Sequence, residues 1–172
     1  MTLYSVGHSN RDLEELIGLL RTRGVDLLVD VRTAPGSRRY PQFGRVALAE
    51  ALGRAGIEYV HLPELGGLRR PRPDSPNTGW RNQSFRGYAD HMQTAEWEAG
   101  LRRLIDLTRD REAAVMCAEA VPWRCHRSLI ADALWVRGIV VRHLLGRGRD
   151  RDHTLTPFAR VEGERITYPS PS

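Results

Sequence analysis

Between Ala113 and Arg137 the sequence AAVMCAEAVPWRCHRSLIADALWVR gathers the residue types with which a site could do covalent chemistry. Cys117 and Cys125 are candidate nucleophiles, Glu119 is a candidate general acid or base, and His126 and Arg127 are candidate substrate ligands. Ala113 to Met116 is an apolar run of strand length. Leu129, Ile130, Ala133 and Leu134 then recur at helical spacing, so a helix is expected to begin at Cys125–Ser128. A strand, a loop and a helix N-terminus would put both cysteines where backbone N–H groups and the helix dipole favour an anion or a thiolate. Cys125 is the better nucleophile on electrostatics, because it opens the helix beside Arg124 and Arg127. Cys117 is the better one on topology, at the strand end. Glu119 suits proton transfer if burial raises its pKa, whereas pairing with Arg124 or Arg127 would lower it.

These residues need a scaffold, and the rest of the chain supplies its pattern. Leu3–Val6 reads as a first strand halted by Gly7, and a helix carrying Leu13, Leu16, Ile17 and Leu20 closes near Gly24. Asp26–Val31 is a second strand whose unbroken apolar centre indicates burial on both faces. After an Arg/Pro/Gly loop, Thr33 to Phe43, a helix with Val46, Ala49, Leu52 and Ala55 leads to a third strand, Ile57–Leu62. Ala113–Cys117 and Ile139–Leu144 are the fourth and fifth. The alternation predicts a single three-layer α/β domain over residues 1–172. Its mostly parallel five-stranded sheet has Rossmann-like or rhodanese-like topology, with helices on both faces. FARVEGERITY, 158–168, predicts a small C-terminal hairpin turning at Glu162-Gly163-Glu164. Pro63–Arg86 has no periodicity, and Trp80 and Phe85 make it an ordered flap rather than a linker. Arg147–Asp152 reads as a charged, solvated run.

In such a sheet, ligands bind at the carboxyl ends of the strands. Those ends collect His8, Ser9 and Asn10; Asp30 and Arg32; His61 and Glu64; and Cys117 and Glu119. His8 and Asp30 thus join the candidate catalytic groups, and Ser9 and Arg32 the candidate substrate contacts. Structural roles compete with each. Ser9 or Asn10 could cap the first helix ahead of Asp12, and Asp30 and Arg32, flanking Val31, could simply pair. Cys117 could be a small buried apolar residue, and Gly66 and Gly67 could serve backbone conformation. Ser37, Arg38 and Arg39 could be solvated loop surface, and His143 and His153 carry no motif and read as structural.

Composition narrows the chemistry. All 26 basic residues are arginines, giving a net charge of +5. With no lysine, Schiff-base and P-loop mechanisms are excluded. Arginine abundance fits either a GC-rich coding bias or phosphate binding by the guanidinium fork. Two cysteines are too few for a disulfide scaffold. A zinc site built from Cys117, Cys125 and His126, with His8, lacks any short C-x-x-C pair, so no metal is assigned and no cofactor is named. No apolar run reaches membrane-span length and no signal-peptide pattern opens the chain, so a cytoplasmic protein without membrane partners is expected.

The sequence resembles the DUF488 family, a bacterial and archaeal group of unknown function. The residues that carry the likeness are SVGHSN at 5–10, DVRTAPGSR at 30–38, LPELGG at 62–67 and CAEAVPWRCHR at 117–127, with DHTLTP at 152–157 and ITYP at 166–169. The resemblance spans almost the whole chain. It implies His8, Ser9, Asp30, Arg32, Gly66, Gly67, Cys117, Glu119, Cys125, His126 and Arg127 as site residues, without implying a reaction. A weaker likeness is to rhodanese and cysteine-phosphatase loops, where a cysteine ends a strand and an arginine opens the next helix. The spacing departs from it: a cysteine phosphatase has five residues between Cys and Arg, against six to Arg124 and nine to Arg127 here.

The expectation is therefore a cysteine-dependent hydrolase or transferase acting on a small anionic or nucleotide-like substrate. That anion would sit at the Cys125–Arg127 helix start, helped by Arg32. Two other readings stand beside it. One is a nucleic-acid-binding or repair accessory module using the arginines of 69–86 with Arg147, Arg149 and Arg151. The other is a thiolate metal or redox site.

Overall fold

Alternation along the strands decides which side chains meet, and it sends Cys117 toward the helix that follows it. The computed structural model describes residues 2–36, 39–146 and 148–171. In β2 (Leu27–Asp30) and β4 (Ala113–Cys117), Leu27, Val29, Ala113, Val115 and Cys117 turn to one face, while Leu28, Ala114 and Met116 turn to the other. β1 (Thr2–Gly7), β3 (Glu58–His61), β5 (Val140–Leu144) and β6 (Asp150–Asp152) complete a sheet of order β3-β2-β4-β1-β5-β6. β1 to β5 pair in parallel. Helices α1 (Leu13–Arg21) and α2 (Arg45–Arg54) cover the Leu28 face. Helices α3 (Gln83–His91), α4 (Ala95–Thr108) and α5 (Arg127–Val136) cover the Cys117 face. The α/β class, the parallel sheet and the hairpin of β7 (Arg160–Glu162) with β8 (Arg165–Thr167) are as expected, and Gly163 turns the hairpin at φ 64°.

Four details differ from the sequence expectation. The sheet has six strands rather than five, because part of the charged run after Gly146 becomes β6, antiparallel to β5. Its acidic residues pair with arginines, Asp152 with Arg142 and Asp150 with Arg23, so an edge strand is written in charges rather than apolar residues. Arg147 itself lies outside the described residues. The first helix is capped by Asp12, whose carboxylate accepts from the Glu15 N–H at 2.8 Å, and not by Ser9 or Asn10. In α2 the buried stripe is Leu48, Ala51 and Leu52, and Val46 is 71% exposed. Finally, α3 occupies the end of the segment read as loop. Asn82 caps it through the N–H groups of Ser84 and Phe85, and Gly87 sits where a Cβ would overlap the Arg69 backbone.

The rest of that segment is an ordered flap, as Trp80 and Phe85 indicated. The buried Asp90 carboxylate collects Ser75, Asn77 and the Arg72 N–H, while Trp80 packs on Phe85, Phe158 and Tyr168.

On the other side of α5, Asp132 is fully buried and accepts from His153 Nε2 at 2.7 Å, Thr156 Oγ1 at 2.7 Å, the Thr156 N–H at 3.1 Å and Tyr168 OH at 2.8 Å. His153 Nδ1 meets His143 Nε2 at 2.9 Å, and His143 Nδ1 meets Ser5 Oγ at 2.6 Å. One carboxylate thus ties the DHTLTP and ITYP segments to the helix that opens at the cysteines. Asp132→Ala leaves four donors unmatched, that of the fully buried Tyr168 among them, and should cost about 3–5 kcal/mol in urea unfolding. Arg111→Ala, which removes exposed pairs to Asp26 and Glu58, should cost less than about 1 kcal/mol. Equal, small losses in both variants would deny Asp132 its anchoring role.

Candidate active site

β4 delivers Cys117 to the end of the sheet, and the loop after it is pinned before it can wander. Gly7 lies in register with Cys117, and a Cβ there would overlap the Glu119 carbonyl, so only glycine lets the loop pass. The His8 N–H donates to Cys117 O at 3.0 Å and the Ser9 N–H to Ala118 O at 2.8 Å, continuing the ladder beyond the strand. A 3₁₀ turn at Pro122–Arg124 then carries the chain to Cys125. There the Arg127 N–H donates to Cys125 Sγ at 3.4 Å, so the thiol takes the place of a capping side chain on α5.

Arg127 reaches back under this loop. It has no exposed surface, and no carboxylate pairs with it among the described residues. Its Nη1 donates to Cys117 Sγ at 2.7 Å and to Glu119 O at 2.9 Å, Nη2 points to Ala120 O at 3.4 Å, and Nε is buried without a partner. Burial pushes its pKa down to about 9, and the nearby Arg11 acts in the same direction. A buried cation demands an anion. The Glu119 charge acts the other way on the Arg127 pKa, and the ionisable group in direct contact with Arg127 is the Cys117 sulfur.

Asp30 and Arg32 do form the anticipated pair. Arg32 Nη2 lies 2.7 Å and Nε 2.9–3.1 Å from the fully buried Asp30 carboxylate, which also accepts from Tyr59 OH. Arg32 Nη1 is left facing His8 Nε2 at 3.5 Å. His8 Nδ1 donates to Ser9 O at 2.8 Å, so Nε2 holds the lone pair, and burial lowers the pKa of the ring, which stacks on Phe43 at 4.4 Å. His126 Nε2 donates to Val31 O at 2.9 Å, leaving its Nδ1 lone pair 3.6 Å from Cys125 Sγ. Burial pushes the His126 pKa down to about 4.

A cavity of about 780 Å³ opens over these groups. It brings together eight expected residues: His8, Ser9, Arg32, Gly67, Cys117, Glu119, Cys125 and His126. It does not include three others. Asp30 lies behind Arg32, Arg127 lies beneath the sulfurs, and Gly66 is pressed against Thr33. Gly66 and Gly67 both answer to close approach rather than to φ. A Cβ on Gly66 would overlap Thr33, and one on Gly67 would crowd the His126 ring. Glu119 is exposed, and among the described residues it forms no ion pair with Arg124 or Arg127. The N–H groups of Arg127, Ser128 and Leu129 are already engaged by Cys125 Sγ, Cys125 O and His126 O, which leaves none of the three for an anion. His61 and Glu64 also turn away: His61 Nε2 donates to Arg32 O, and Glu64 packs against Gly100.

The cavity adds Thr33, Arg39, Tyr40, Leu68, Phe85 and Arg124, and only the arginines and Phe85 had drawn notice as residues. Ser37 and Arg38 lie outside the described residues. Ser9 and Leu68, at φ 50° and 59°, are the two non-glycine residues with left-handed backbone among those described, and both line the cavity. No group of three or more His, Cys, Asp or Glu is arranged to hold a metal ion among the described residues, and no helix there is long and apolar enough to cross a membrane.

The architecture is that of a mostly parallel α/β domain with a cavity at the carboxyl ends of β1, β2 and β4. The chain belongs to the DUF488 family, described as a domain of unknown function, whose model matches residues 12–134. Comparison with curated proteins and with solved structures gave no match.

Burial also holds His143 down, to about 3. Because the folded pKa values of His126 and His143 lie below the usual 6.5, the unfolded chain takes up protons that the native chain refuses. Stability should therefore be full above pH 6.5 and fall as pH drops toward 4, by on the order of 3 kcal/mol for His126 alone. His126→Gln, which keeps a donor for Val31 O, should flatten the urea-midpoint profile over that window. Parallel profiles for the two proteins would contradict this account.

Proposed function

We propose that the protein is a cysteine-dependent hydrolase or transferase for a small anionic, nucleotide-like substrate, with Cys117 as its nucleophile. The observation that carries this reading is the Arg127 guanidinium, buried with no ion-paired carboxylate among the described residues and 2.7 Å from Cys117 Sγ. A cation so placed favours the thiolate, the nucleophilic form. Three further features support the substrate class. Arg32, Arg39 and Arg124 line the cavity against a single acid, Glu119. Tyr40 and Phe85 offer aromatic surface to a base or other flat group. The cavity volume suits a ligand of that size.

In this reading the Cys117 thiolate attacks an electrophilic carbon or phosphorus, and the bond to the leaving group breaks as the thioester or thiophosphate forms. His8, whose burial lowers its pKa, exchanges the 3.5 Å contact of its Nε2 lone pair with Arg32 Nη1 for the proton of the water or acceptor that resolves the intermediate. Asp30 is a positioning residue, holding Arg32 from behind. The nucleic-acid reading has less support. Arg69 donates to Gly66 and Pro63 carbonyls, Arg72 pairs with Asp74, and Arg86 donates to Trp80 O.

Protection of Cys117 from iodoacetamide, mapped by mass spectrometry, tests the proposal directly. Nucleoside monophosphates should slow its alkylation more than the nucleosides or inorganic phosphate do. Arg124→Gln should weaken that protection by about tenfold, the loss of one charge-assisted contact of roughly 1.4 kcal/mol. Protection indifferent to phosphate and to Arg124 would overturn the assignment.

A further inference from the structure

We infer that Cys117 and Cys125 are a redox couple, with Cys117 the thiol oxidised by a hydroperoxide and Cys125 the thiol that resolves it into a disulfide. The inference rests on the reading of Cys117 as the thiolate of the site. Cys125 otherwise has no part in the chemistry, yet it is not placed as a mere core residue.

Three observations bring it in. Both cysteines are among the residues that line the same cavity. Both contact one residue: Cys117 Sγ the Arg127 guanidinium at 2.7 Å, and Cys125 Sγ the Arg127 backbone N–H at 3.4 Å. Both are free thiols. An ionised, reachable cysteine beside a second thiol is the arrangement in which oxidation stops reversibly at the disulfide. Cys125 also has a lone pair beside it, His126 Nδ1 at 3.6 Å, fixed in that role because Nε2 donates to Val31 O.

The steps balance. The Cys117 thiolate attacks one oxygen of ROOH, an S–O bond forms, the O–O bond breaks, and the alkoxide leaves and takes a proton from water. Cys125 sulfur then attacks Cys117 sulfur, an S–S bond forms and the S–O bond breaks. The departing hydroxide takes the Cys125 proton and leaves as water. Two thiols lose two electrons to one hydroperoxide, and an external dithiol returns them by exchange. The oxidised protein has no Cys117 thiolate, so oxidation switches off the nucleophile and removes the counter-anion of Arg127.

The test treats the full chain with stoichiometric hydrogen peroxide, blocks remaining thiols with N-ethylmaleimide and reads intact mass. The wild type should lose both alkylatable thiols together, with the mass of two hydrogens and no added oxygen, and dithiothreitol should restore both. Cys125→Ser should instead carry a sulfenic acid at Cys117, trapped by dimedone, and Cys117→Ser should retain its remaining thiol. Wild type that alkylates readily at Cys117 but accumulates sulfenic or sulfinic acid without a disulfide would overturn the couple and leave the nucleophile standing. If Cys117 in Cys125→Ser resists both iodoacetamide and peroxide, the nucleophile falls, and the couple with it.

Discussion

A guanidinium sealed from water beneath the loop that follows β4 sets the terms for this structure. Removing Arg127 from solvent is costly, and only an anion or a ring of well-placed acceptors can offset it. The guanidinium donates to carbonyls of Glu119 and Ala120 and to the sulfur of Cys117, and among the described residues no carboxylate forms an ion pair with it. Each of these acceptors comes from residues 117–120, so the loop has to fold over the cation in one way. Gly7 is the clearest consequence, since a side chain there would occupy the path of Glu119. The ladder from His8 and Ser9 to Cys117 and Ala118 holds the same turn from the other side.

Anchoring at the far side of α5 complements this. Asp132 lies five residues beyond Arg127 and gathers His153, Thr156 and Tyr168, so the helix that presents the cation is fixed both to the sheet end and to the C-terminal segment. Backbone strain is concentrated nearby as well. Ser9 and Leu68 each hold a conformation that costs an L-residue roughly 1–2 kcal/mol. For Ser9 the reason is visible: its carbonyl accepts the His8 Nδ1 proton and its N–H completes the ladder. The strain at Ser9 thereby fixes which nitrogen of His8 keeps a lone pair.

Much of this was legible in the sequence because it follows from period and strand ends. The apolar runs at Leu27–Val29 and Ala113–Met116 predict the sheet, and the polar residues after them include Arg32, Cys117 and Glu119 of the cavity lining. What escaped did so for physical reasons. Helix α3 carries Gly87 at its centre, a residue that reads as loop, yet the close approach of the Arg69 backbone requires glycine there. Strand β6 is stabilised by arginine pairs, so it lacks apolar alternation. The hub at Asp132 is one polar residue in an apolar helix, with partners between 21 and 36 residues away, beyond any local pattern. The role of Arg127 was the subtlest. Spacing marks it as a ligand for substrate; its depth, which spacing does not encode, sets its guanidinium 2.7 Å from Cys117 Sγ.

The most direct test of the proposed counter-charge is the ultraviolet thiolate absorbance of Cys117 against pH, recorded in Cys125→Ser so that one thiol titrates. Cys117 is predicted to ionise well below the free-thiol value of about 8.5, and Arg127→Met, checked for native circular dichroism, to move the transition above it. A midpoint at or above the free value in the presence of Arg127 would contradict the account.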